Sequence, residues 1–253
     1  MQAYRPVSSF GPQAAAHYDA QPRGDEAAAV DFLRGLANGR PALEFAVGTG
    51  RIALPLAAKG VRVDGIELSP HMIAQLRTKP GSEGIEVVLG DMSVATTGRR
   101  YGLVYLVFNT IFNLLTAEEQ VRCFENAARH LDDGGRFVVE AALPHTWIPG
   151  GQADYVHTEQ VDADAVVLDV ARYDPVTQLL EENHVRISAQ GITLAPIVCR
   201  LITPGEMDLM ARIAGLRLVE RVANWQRTPF DAQSTAHVSV YAQRSVQGTD
   251  DLM

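Results

Sequence analysis

Ala42-Leu43-Glu44-Phe45-Ala46-Val47-Gly48-Thr49-Gly50-Arg51 is the stretch whose reading decides the fold. Ala42 to Ala46 is an apolar, strand-forming run interrupted by one acid, and Gly48 and Gly50 make a turn into a helix expected from about Arg51 to Lys59, stopped by Gly60. Two acidic strand ends follow, in Val61-Arg62-Val63-Asp64-Gly65-Ile66-Glu67 and in Gly90-Asp91-Met92. A strand, a glycine-rich turn and two later acids at these intervals are what an α/β fold uses to hold a nucleoside cofactor. The acid at position 44 bears on which cofactor that is. A dinucleotide would lay its pyrophosphate on the bare N–H groups of the turn, where a carboxylate four residues before Gly48 would oppose it, whereas a cationic cofactor would be favoured.

Outward from this stretch, strands and helices alternate. Asp25 to Ala37 reads as an amphipathic helix, with Ala29, Phe32, Leu33, Leu36 and Ala37 at steps of three and four before Gly39. Ser69 as N-cap and Pro70 at the first helical position open a helix to about Lys79, and Ile85 to Leu89 is a third strand. Tyr101 to Phe108 is a nearly continuous apolar run, as expected of a strand covered by helices on both faces. Thr116 and Glu119 form a capping box for a helix that buries Val121, Phe124, Ala128 and Leu131, and Arg136 to Ala141 is strand five. This order predicts a doubly wound, mostly parallel sheet. From Asp154 to Ile202 the pattern becomes β-rich, with turns at Tyr173-Asp174-Pro175 and Gln190-Gly191 and alternation of His184, Arg186 and Ser188 with Val185 and Ile187. It reads as an antiparallel meander inserted after strand five. Thr203-Pro204-Gly205-Glu206 caps a further helix, and Leu216 to Val222 and His237 to Ala242 are the last strands.

Glu44, Ala46, Gly48 and Gly50, with Glu67 and with Asp91-Met92, resemble the motifs of the class I S-adenosylmethionine-dependent methyltransferases, in particular bacterial small-molecule enzymes similar to amino-sugar N-methyltransferases. Ala46 replaces the first glycine of the family pattern. The resemblance implies a seven-stranded Rossmann-like sheet whose last two strands pair as an antiparallel hairpin, in a single domain over residues 1–253, with residues 146–202 as a substrate cover or a homodimer contact. It implies S-adenosylmethionine as cofactor, held by Glu67 at the ribose, by Asp91 and Met92 at the adenine, and by Phe108 and Asn109 toward the methionine end, with Leu68 a further cofactor-binding residue. Tyr18 is similar to an N-terminal tyrosine that closes over the cofactor, and Glu140 to a strand-five carboxylate facing the pocket.

Arg51, Met72 and Asn113 join the candidate cofactor residues, each against a plainer reading as an exposed helix start, a core side chain and a turn cap. Glu140 and His145 are the candidate catalytic residues. His157, Trp147, Tyr155 and Trp225 are further pocket candidates, because their segments should overhang the C-terminal edge of the sheet. Methyl transfer from a sulfonium is an in-line displacement, which needs positioning more than a covalent intermediate. In keeping with that, the chain has no G-x-S-x-G, H-E-x-x-H or G-x-x-x-x-G-K-[ST].

A net charge of −8 over 253 residues, with no basic run longer than Arg99-Arg100, speaks against a nucleic-acid substrate and for a small-molecule acceptor. No apolar run of 18 residues and no N-terminal apolar segment appears, so a cytoplasmic protein without membrane association is expected. Cys123 and Cys199 have no His or Cys at metal spacing, so no metal is expected and both read as buried thiols. Two other functions fit parts of the pattern: a nicotinamide-dependent oxidoreductase using the same turn, and a protein that keeps the fold but binds or cyclises without transferring methyl.

Overall fold

The computed structural model describes residues 4–20, 23–151 and 153–244. A short helix α1 (Pro12–His17) precedes α2 (Glu26–Ala37), which ends on Asn38 in the left-handed region at φ +48°. The core then runs β1 (Ala42–Phe45), α3 (Ala53–Ala58), β2 (Val63–Glu67), α4 (Pro70–Arg77), β3 (Glu86–Leu89), β4 (Tyr101–Leu106), α5 (Ala117–His130) and β5 (Leu131–Ala142). After it come β6 (Asp154–Val161), β7 (Ala165–Asp174), β8 (Leu179–Ser188) and β9 (Gly191–Arg200), then α6 (Pro204–Ile213), β10 (Leu216–Val222) and β11 (Ala236–Gln243).

Seven strands form one sheet in the order β3-β2-β1-β4-β5-β11-β10. The first five are parallel, and β11 runs antiparallel to both β5 and β10. The expected doubly wound sheet and closing hairpin are both present. Every residue of β1, β2 and β4 is buried, because α2 and α3 pack on one face and α5 and α6 on the other. The capping boxes at Thr116/Glu119 and Thr203/Glu206 form as read, and Ser69 Oγ accepts from Met72 N at the start of α4. β1 and β4 stop short of the sequence expectation, at Phe45 and Leu106, because Ala46 (φ +54°) and Phe108 (φ +56°) turn left-handed there. Strand five starts earlier than expected, at Leu131, and its pairing with β4 shifts register between Tyr101 and Leu103.

The inserted meander is a separate four-stranded antiparallel sheet in sequence order. Ala171, Leu180 and Cys199 on its inner face join the main core, so it is packed into the molecule. Beyond that apolar patch the inner face is polar. Tyr155, His157, Asp169, Glu182 and His184 face a cavity, while Val156, Val170, Ile187, Ile192 and Leu194 are exposed.

Candidate active site

A cavity of about 1040 Å³ opens at the C-terminal edge of the parallel strands and is roofed by the four-stranded sheet and the N-terminal segment. Its position is the crevice where open α/β sheets bind ligands. The floor begins at Glu67, the last residue of β2. One carboxylate oxygen accepts from Gly48 N at 2.8 Å and the other from Ser69 N at 2.7 Å. The acid is thereby clamped between the turn after β1 and the cap of α4. Burial raises the Glu67 pKa, and the N–H groups of Ser69 and Gly48 work against that rise. A carboxylate oxygen offers more than one lone pair, so Glu67 retains acceptor capacity for a pair of hydroxyls in the cavity. Leu68, Met72, Ala46, Gly48, Gly90, Asp91 and Met92 line the same end. Asp91 accepts from Ser93 N through Oδ1 at 2.7 Å, and Oδ2 remains for an amino group. Gly48 stands at φ +56°, and a Cβ there would lie 3.4 Å from Met72 Cε. Its conformation, more than crowding, calls for glycine.

Phe108 and Asn109 form the next wall, both left-handed at φ +56° and +62°. Two successive non-glycine residues in that region need outside support. Glu140 supplies it: its carboxylate accepts from Phe108 N at 2.7 Å and from Trp225 Nε1 at 2.7 Å, and its carbonyl accepts from Asn109 N at 3.2 Å. Asn109 Oδ1 in turn accepts from Ala142 N at 2.6 Å. Asn113 also lines the cavity.

The N-terminal segment closes the near side. Tyr18 lines the cavity as expected, and beside it the Arg23 guanidinium lies 4.9 Å from the Tyr18 ring centroid and 3.2 Å from that of Phe108. Asp19 is anchored by Thr49 Oγ1 at 2.7 Å and by Lys79 Nζ at 2.6 Å. Further upstream, Ser69 Oγ donates to Phe10 O at 2.6 Å and Ser9 Oγ donates to Pro196 O at 2.6 Å. Residues 4–10 therefore bridge α4 and β9 across the cavity. Arg23 and this strap escape a sequence reading because they lie in short, aperiodic segments.

The four-stranded sheet makes the far wall. His157, Asp169 and His184 stand in register on β6, β7 and β8, with Tyr155 and Glu182 in the adjacent row. His184 Nδ1 lies 2.5 Å from Asp169 Oδ1 and 3.2 Å from Glu159 Oε2, and its Nε2 is 4.0 Å from Glu182 Oε2. Burial disfavours the imidazolium, yet Asp169, Glu182 and Glu159 outweigh it and raise the His184 pKa. Burial likewise raises Glu182 and pushes the Tyr155 hydroxyl up to about 12. Trp147 lines this wall, and Tyr155 Oη donates to its carbonyl at 2.9 Å. The sequence signal for Asp169, Glu182 and His184 is weak: titratable residues on one face of adjacent strands, visible only once the register is known.

Five expected site residues lie off the cavity surface. Glu44 is buried beneath the turn, where Tyr105 Oη donates to it at 2.9 Å, and desolvation lifts its pKa to about 8. Burial thus favours its neutral form near pH 7, so Glu44 brings no carboxylate charge to oppose a pyrophosphate or to attract a cationic cofactor. Gly50 is required twice over, by a φ of +81° and because a Cβ would meet Leu76 Cδ1 at 2.3 Å and Leu54 Cγ at 3.0 Å. Arg51 directs its guanidinium to Asp25 at 2.8 Å and Glu26 at 3.2 Å. Glu140 positions the Phe108–Asn109 wall from behind it, and His145 is exposed outside the cavity. Trp225 also lies outside the cavity, buried against Phe32.

Residues 42–135 match the model of a methyltransferase domain family. The CcbJ methyltransferase of Streptomyces caelestis superposes with a TM-score of 0.89 and is 39% identical, covering 96% of this chain and 100% of that one. An S-adenosylmethionine-bound amino pentose methyltransferase, CalS10 of Micromonospora echinaspora, superposes with a TM-score of 0.67 at 25% identity, over 93% of this chain and 98% of its own. The cypemycin N-terminal methyltransferase of a Streptomyces species is 28% identical over 78% of this chain and 80% of its own length.

Proposed function

The chain belongs to the S-adenosylmethionine-dependent methyltransferase family, and from that premise we propose that it methylates an amine nitrogen of a small molecule. The observation that carries this reading is a single cavity continuous from Glu67 and Asp91 to Tyr155 and His184. At about 1040 Å³ it reaches the top of the ~300–1,000 Å³ range of single-ligand sites, so it has room for a cofactor and an acceptor end to end. Nitrogen is favoured over oxygen because two relatives are an N-terminal methyltransferase and an amino pentose methyltransferase.

The residues fit the cofactor. Glu67 would hold the ribose diol through its acceptor oxygens, Asp91 would accept from the adenine amino group, and Arg23 would pair with the carboxylate. When bound, S-adenosylmethionine supplies a methyl group already activated on a sulfonium. The protein's own part is to align the acceptor, with Phe108, Asn109 and Tyr18 shaping the passage, and to exclude water beneath the strap and the inserted sheet. A nicotinamide-dependent reaction is not favoured, since the family match is to methyltransferases.

The test is incubation with methyl-labelled S-adenosylmethionine and a panel of an amino pentose, D-glucosamine and a dipeptide with a free N-terminus, beside their N-acetylated forms. Label on nitrogen in at least one free amine and in none of the acetylated partners is expected. Label on oxygen, or S-adenosylhomocysteine binding without transfer to any amine, would exclude the reading.

A further inference from the structure

Three carboxylates surround one imidazole at the far end of the cavity. Side-chain exposures of 17% for Asp169 and 14% for Glu182 leave both mostly withdrawn from water, and Glu159 adds a third negative charge at 3.2 Å from His184. Like charges gathered in a partly desolvated wall repel one another unless a cation sits among them. The group placed among them is the His184 imidazole, whose pKa Asp169, Glu182 and Glu159 raise against the cost of its burial. Asp169 and Glu182 line the cavity on either side of this single imidazole, while Glu159, 49% exposed, stands at its outer edge. The other groups facing His184 are the Tyr155 hydroxyl and His157 from β6, with the Cys199 thiol from β9 lining the same cavity. None of these brings a fixed positive charge.

The sheet pattern is an independent sign that the wall is built for a ligand. A sheet that merely covered a core would turn its apolar residues inward. Here Ala171, Leu180 and Cys199 do turn inward onto the core, but the same face also carries Asp169, Glu182 and His184 to the cavity, while Val156, Val170, Ile192 and Leu194 are exposed. Resting on the proposed methyl transfer, we propose that Asp169, Glu182 and His184 form the subsite that selects the acceptor, and that it selects a molecule arriving as a protonated amine, which gives one proton to a carboxylate of this subsite before the freed nitrogen lone pair can attack the methyl carbon. The arriving ammonium and the proton on His184 compete for the same carboxylates. Each therefore weakens the other by the same factor.

The test uses the full chain saturated with S-adenosylhomocysteine, n-butylammonium as probe and n-butanol as its neutral counterpart, followed by the histidine ring resonances. Butylammonium is expected to bind at least about tenfold more tightly than butanol at pH 7.5 and to lower the apparent pKa of His184 by about one unit. Asp169→Asn and Glu182→Gln should each cut that preference below about threefold while S-adenosylhomocysteine affinity stays within about threefold. Equal binding of the two probes by wild type, a preference that survives both substitutions, or a stoichiometric divalent metal on Glu159, Asp169 and His184 in the purified protein would overturn the proposal. Failure to bind S-adenosylhomocysteine at all would be a failure of the methyltransferase reading, seen separately before any probe is added.

Discussion

At the residue scale, buried titratable groups set the stability of this fold against pH. Glu44, with its pKa lifted to about 8 by burial, is protonated in the folded chain and ionises freely in the unfolded one. Its contribution is whole below the unfolded value near 4.5 and is lost as pH rises through 8. His237 acts in the opposite window. Burial, then Arg221, lowers its pKa to about 4, so its contribution is whole above 6.5 and is lost as pH falls toward 4. Glu44→Gln keeps an acceptor for Tyr105 Oη and cannot ionise. The variant should gain roughly 3 kcal/mol relative to wild type between pH 5 and pH 8 in denaturant unfolding. Parallel stability profiles for the two proteins would show that Glu44 ionises as easily folded as unfolded. The two glycines of the same turn should separate by experiment as well. Gly50→Ala drives a Cβ into Leu76 and Leu54 and should cost about 1–3 kcal/mol of stability. Gly48→Ala meets only ordinary contacts but strains a φ of +56° at the cavity floor. It should weaken S-adenosylhomocysteine binding by about tenfold, roughly 1.4 kcal/mol, with a smaller loss of melting temperature than Gly50→Ala. The reverse ranking in melting and calorimetry would exchange the roles given to the two positions.

At the element scale, the strap of residues 4–10 joins two halves that the sequence leaves apart. Ser9 reaches β9 and Phe10 reaches the cap of α4, while Tyr4, Pro6 and Phe10 line the cavity between. Deleting residues 1–10 should lower S-adenosylhomocysteine affinity about tenfold, measured by calorimetry, with little change in the melting temperature because the strap buries no core residue. Full affinity in the truncated chain would make the strap a surface ornament. The strap was not legible in the sequence, whereas the βα core was, and the difference is physical. Ser69, Thr116 and Thr203 cap helices through bonds a few residues away, and the runs at Leu43 and Val104 report burial through local pattern alone. Glu44 and Arg51 were misplaced because the motif fixes their backbone position and says nothing about Tyr105 or Asp25, which are distant in sequence and take up their side chains. Asp169, Glu182 and His184 depend in the same way on the register of β7 with β8, which periodicity does not set.

At the scale of the whole molecule, the parallel sheet supplies a floor whose acids stand at strand ends, and the inserted sheet and N-terminal strap supply a roof. Floor and roof meet at one cavity, and under the proposed function the floor would recognise the cofactor and the roof the acceptor. Glu67 is central to that proposal, since it ties the turn after β1 to the cap of α4 and lines the cavity. The most direct measurement is isothermal calorimetry of S-adenosylhomocysteine with wild type and with Glu67→Ala, each shown to be folded by circular dichroism. One-to-one binding is expected for wild type. The variant should lose roughly 1.5–3 kcal/mol, about ten- to 150-fold in affinity, the size of charge-assisted hydrogen bonds to the ribose hydroxyls. An unchanged dissociation constant in a folded Glu67→Ala protein would contradict the placement of the cofactor over β2 and with it the division of the cavity described above.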